Sequence, residues 1–77
     1  MTAPKLDKIT RHNGVAGQIS YRTKVRYPNE PPMAVEFVGS VYGGPVVAIS
    51  PGFGQVFVDD PGRFGTFGPE WVRRYFA

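Results

Sequence analysis

Asp59 and Asp60 are the adjacent carboxylates of this chain, the arrangement from which general acid–base chemistry would start. That chemistry needs two titratable groups whose surroundings push their pKa values apart. Here the pair opens Asp59-Asp-Pro-Gly62, and Pro followed by Gly is the order a type II turn favours. Neighbouring turn side chains point apart and Asp caps turns readily, so the pair is expected to hold the turn. His12, the single histidine, stands beside Asn13-Gly14. Ser20, Ser40 and Ser50 have no histidine nearby and no nucleophile-elbow pattern. With one His and no Cys, the chain cannot build a multi-histidine metal site, a thiolate site, a disulfide or a cysteine nucleophile. Gly52-Phe-Gly54 and Gly62-Arg-Phe-Gly65 match neither the Walker nor the dinucleotide pattern, and turn geometry accounts for them. The sequence therefore reads as a non-enzyme with no catalytic residue, no metal and no cofactor.

Binding chemistry has more to work with. Arg22, Lys24 and Arg26 recur at every second residue, which puts three cations in a row on one strand face. Their spacing of about 6.5–7 Å suits a run of phosphates. Tyr21 and Tyr27 fall on the opposite face, so the row lacks interleaved stacking platforms, and solvated edge-protecting charge is the plainer reading. Eleven aromatics are a large supply for one small core. Tyr42, Phe53, Phe64 and Phe67 lie in or beside Gly/Pro-rich turns, which makes them the candidate protein-binding residues. Phe53, between two glycines at a turn tip, either folds back or anchors a partner. Trp71, Tyr75 and Phe76 are of hot-spot type, but Trp71 is expected in the core.

These residues need elements to position them. Gln18 to Tyr27 alternates strictly, with Ile19, Tyr21, Thr23, Val25 and Tyr27 on one face, and predicts a strand. Pro28-Asn-Glu-Pro-Pro32 must be a connection, because three prolines lack the ladder donor. Met33 to Tyr42 follows as a strand, with Val35, Phe37 and Val41 on one face and Val38 and Tyr42 on the other; Gly39 marks a bulge or a close approach. Val46-Val-Ala-Ile49 reads as a strand covered on both faces, and Gln55-Val-Phe-Val58 as another. Asn13-Gly14 is a type I′ hairpin signal that pairs a short strand near Leu6–His12 with the start of the Gln18 strand, leaving Gly17 as a bulge. After Pro69 the period changes. Trp71, Val72, Tyr75 and Phe76 form one helical stripe, with Glu70 near the positive end and Arg73 and Arg74 near the negative end. The expectation is a single mainly β domain over residues 1–77: a small antiparallel meander sheet, or an SH3-like half-open barrel, with a short C-terminal helix.

The stretch Gln55 to Phe76 carries Asp-Pro-x-Arg-Phe-Gly and Phe-Gly-Pro-Glu-Trp-Val-Arg. In these patterns it resembles the C-terminal half of small orphan proteins of mycobacteriophages and related actinobacterial phages. The resemblance implies a bacterial host cytoplasm and a class that acts by binding; it brings no catalytic residues.

Charge and size complete the reading. Residues 1–27 carry Lys5, Lys8, Arg11, Arg22, Lys24 and Arg26 against Asp7, whereas residues 28–62 carry four acids and no base. Such polarity attracts an oppositely charged partner or an antiparallel second copy. No apolar run approaches a membrane helix, and Met-Thr-Ala-Pro-Lys lacks a signal-peptide core, so a cytoplasmic chain without membrane contact is expected. A domain of 77 residues buries little surface and often gains stability by oligomerising. The expected function is a non-catalytic protein-binding module, a phage-encoded modulator of a host protein, self-associating as a homodimer. The alternatives are a small basic nucleic-acid-binding protein using Arg22, Lys24 and Arg26, or a minor virion component.

Overall fold

The structure, a computed structural model, describes residues 3–50, 54–59 and 65–77. Strands β1 (Lys5–Leu6), β2 (Thr10–Asn13), β3 (Gln18–Arg26), β4 (Met33–Ser40), β5 (Val46–Ser50) and β6 (Gly54–Asp59) precede one helix, α1 (Pro69–Phe76). The sheet order is β1-β3-β4-β5-β6, with β2 also on β3, and every pairing is antiparallel. It is a meander, and it is not closed: among the described residues no pairing joins β6 to β1 or β2.

The alternation in β3 is the backbone of the fold. Ile19, Tyr21, Thr23 and Val25 are buried, whereas Arg22, Lys24 and Arg26 are exposed. Register brings Tyr21 opposite Phe37, Thr23 opposite Val35 and Phe37 opposite Ala48, so one face of β3–β5 is apolar. Helix α1 covers that face. Gly68 caps it in an extended conformation and Pro69 opens its first turn, where a missing N–H costs nothing. Trp71 and Val72 are fully buried, and Tyr75 and Phe76 half-buried, as the one-stripe pattern requires. Phe37 is the centre of the contact, with ring centroids 5.3 Å from Trp71, 5.0 Å from Tyr75 and 5.8 Å from Phe76, all edge-on.

Four local expectations change. The first edge is split. Leu6 pairs with Val25 and Thr10 with Arg22, so Asp7, Lys8 and Ile9 face Thr23 and Lys24, a one-residue bulge. Thr23 secures it: its hydroxyl donates to the Asp7 carbonyl at 3.0 Å, and the Asp7 N–H donates to the Lys24 carbonyl at 3.0 Å. The hairpin reverses later than Asn13-Gly14. Asn13 still pairs with Ile19, and the positive-φ residues are Ala16 (55°) and Gly17 (79°), closed by Gln18 N–H to the Val15 carbonyl at 3.1 Å. Gly17 also accepts from the Val41 N–H at 2.9 Å, a tertiary bond to the end of β4.

Val41 and Tyr42 lie past the end of β4 rather than within it. Both are exposed, at 55% and 84%, so Val41 does not join Val35 and Phe37 in the core. Val46-Val-Ala-Ile49 lies within β5, yet only Val46 is buried, so the run is not covered on both faces. Gly39 turns out to be a close approach. The β3–β4 register runs through it unbroken, and a Cβ there would come within 2.8 Å of the Phe67 ring.

Candidate protein-docking surface

Two of the three serines bond to the backbone. Ser50 Oγ donates to the Ala34 carbonyl at 3.3 Å, and Ser40 Oγ accepts from the Tyr42 N–H at 3.1 Å. Against the expectation that no serine has a histidine nearby, the β2–β3 ladder sets half-buried His12 opposite Ser20. Asp59 ends β6, and Asp60 lies outside the described residues. Among the described residues no group of three His, Asp or Glu side chains is placed to hold a metal ion.

The basic row on β3 is largely neutralised within the domain. Arg22 Nε donates to Glu36 Oε2 at 2.6 Å, from the facing residue of β4. Arg26 grips Asp7 with two bonds, Nε to Oδ1 at 2.8 Å and a terminal nitrogen to Oδ2 at 3.1 Å. This hydrogen bond, helped by the nearby charges of Arg26 and Lys24, holds the Asp7 carboxyl below its usual value against the opposing effect of desolvation. The same contact raises the already high Arg26 value. Of the three cations, Lys24 alone has no ion pair among the described residues.

A different surface stands out where the β2–β3 turn meets the β4–β5 connection. The large hydrophobics most open to solvent among the described residues are Val15 (83%), Tyr42 (84%) and Val41 (55%), and all belong to these two turns. They are held together through Gly17. A Cβ at that position would overlap the Tyr42 ring and lie 2.9 Å from Val41 Cγ2, so the absence of a side chain lets the second turn lie on the first. Beside the patch runs a groove of about 640 Å³, floored by Ile19, Tyr21 and Trp71 and walled by Phe67, Val41 and Arg11. Phe67 packs edge-on against Tyr21 at 5.0 Å and Trp71 at 5.2 Å, half-buried. Arg11 Nε donates to Asn13 Oδ1 at 3.1 Å, and Arg11 has no acidic partner among the described residues.

Of the aromatics singled out from the sequence, Tyr42 is thus fully presented, and Phe67 spends most of its ring on the core while its remainder walls the groove. Phe53 and Phe64 lie outside the described residues. Sequence reasoning missed Val15, Val41 and Arg11. Val15, between Gly14 and Gly17 in a turn, was the one legible signal, since an apolar residue there has little of its own chain to cover it. A larger groove of about 730 Å³ lies at the other end of α1, between Tyr27, Met33 and Phe76, without comparably exposed hydrophobics. No α1 residue offers a membrane span; no helix among the described residues is long and apolar enough to cross one. Comparison of the chain with protein-family models, curated proteins and solved structures finds no match.

Proposed function

We propose that this chain is a non-catalytic protein-binding module that uses the Val15/Val41/Tyr42 end surface. The observation that carries the reading is the convergence of these three exposed hydrophobics beside an aromatic-floored groove. An open apolar patch next to a concavity is the ordinary form of a docking site. The pairing of Arg22 with Glu36 and Arg26 with Asp7 weighs against the nucleic-acid alternative, since it leaves Lys24 to meet phosphates alone. The phage-like motifs of residues 55–76 supply the setting: a modulator acting on a host protein in a bacterial cytoplasm, with self-association as a homodimer.

Affinity capture from actinobacterial lysate, with wild type and Tyr42→Ser side by side, tests this. One host protein retained by wild type and lost by the variant is the expected result. Capture of nucleic acid instead, abolished by raising salt and by changing Arg22, Lys24 and Arg26 to Ser, would replace the reading with its alternative. Capture of phage structural proteins alone would point to a minor virion component.

A further inference from the structure

Two unpaired charges of opposite sign occupy opposite ends of the domain. Among the described residues, Arg11 stands on the groove wall without an acidic partner, and Glu30 stands in the β3–β4 connection without a basic one. The segment around Glu30, Pro28-Asn-Glu-Pro-Pro32, is exposed at every residue. Pro31 and Pro32 have φ locked by their rings, so docking this segment costs little conformational entropy, and neither has an N–H to leave unsatisfied. A turn closed by the Glu30 N–H to the Tyr27 carbonyl at 3.3 Å, with Asn29 at φ 62°, presents the segment already shaped as a projecting loop.

The domain cannot satisfy itself. The groove lies near the start of β3, beside the β4–β5 connection, and the segment follows where β3 ends. Nine residues of strand separate them, a span of about 30 Å. A second copy lying antiparallel brings its own segment to the groove of the first, and the same geometry then satisfies both copies at once.

We propose that the end groove receives Pro28–Pro32 of a second copy, with Arg11 meeting the partner's Glu30, in a reciprocal two-fold dimer. The inference rests on the reading of this end as a docking surface and names what occupies it.

Sedimentation velocity over a concentration series tests it with wild type, Arg11→Glu, Glu30→Arg and the double variant. Both substituted side chains are exposed, so far-UV circular dichroism spectra should match wild type and certify folding. A wild-type dimer, weakened about tenfold or more by either single reversal through like-charge repulsion, and restored in the double variant, is the expected result. A synthetic peptide of residues 27–33 should also bind the monomeric Glu30→Arg variant and quench or shift Trp71 fluorescence. A strict monomer at every concentration, or a dimer indifferent to both reversals, overturns the proposal. Either result leaves the docking reading standing if the lysate capture still depends on Tyr42; loss of that dependence with an intact, charge-sensitive dimer would do the reverse.

Discussion

The helix-covered face of the sheet and the end surface are built from the same kinds of residue and treat them in opposite ways. On the covered face Phe37, Trp71 and Tyr75 meet edge-on or stacked, and Phe37 and Trp71 are almost wholly removed from water. At the end, Tyr42 and Val15 keep over four-fifths of their surface in solvent. The difference lies in what can cover them. A two-turn helix laid across three strands shields the middle of one face, and its reach ends before the turns. Surplus apolar residues beyond that reach must be tolerated or used. The lesson is that aromatic content alone did not locate a binding surface here; most of it was consumed by one small core.

Four substitutions would break or sharpen this contrast. Trp71→Ala has the largest expected effect, a loss of about 3–5 kcal/mol, because it empties the contact between α1 and Phe37. A domain of this size has little reserve for that, so the circular dichroism melt should vanish or fall sharply; an unchanged melt would remove Trp71 from the core. Gly39→Ala comes next. The added methyl meets the Phe67 ring at 2.8 Å, and overpacking there should cost about 1–3 kcal/mol in urea unfolding. A neutral result would show that Phe67 can swing outward, joining the end surface rather than the core.

Thr23→Val keeps the shape but strips the donor from the Asp7 carbonyl, and should cost about 0.5–1.5 kcal/mol by the same assay. No loss would mean that the bulge is held by its backbone bond alone. The smallest stability effect belongs to Tyr42→Ser, within about 0.5 kcal/mol of wild type, because the side chain it removes is already in water. Substantial destabilisation there would mark Tyr42 as a covering residue for Gly17 and erase the distinction between the two regions.

The period-two face of β3, the proline connection after Tyr27 and the helical stripe after Pro69 were all legible before any coordinates, since each is a local pattern with one geometric solution. The candidate site was less so. Tyr42 was flagged for its place beside Gly43-Gly44, yet the strand pattern carried Val41 into the core face. Alternation says which residues would share a face if the strand continued. It does not say where the neighbouring strand stops, and β4 stops at Ser40.

What the amino-acid order determined by itself was most of the element list, the buried stripes of β3 and α1 and the absence of thiol or multi-histidine chemistry, because all of these follow from residue type and spacing. The tertiary structure decided the rest through contacts between segments distant in sequence. The Thr23 hydroxyl reaching Asp7 places the bulge that splits the first edge. Glu36 and Asp7 arriving beside Arg22 and Arg26 turn a row of cations into paired charges. The Gly17 carbonyl accepting from Val41, with no side chain between the two turns, sets Val15, Val41 and Tyr42 on one surface. A spacing rule sees only neighbours along the chain, and each of these contacts joins residues at least fourteen positions apart.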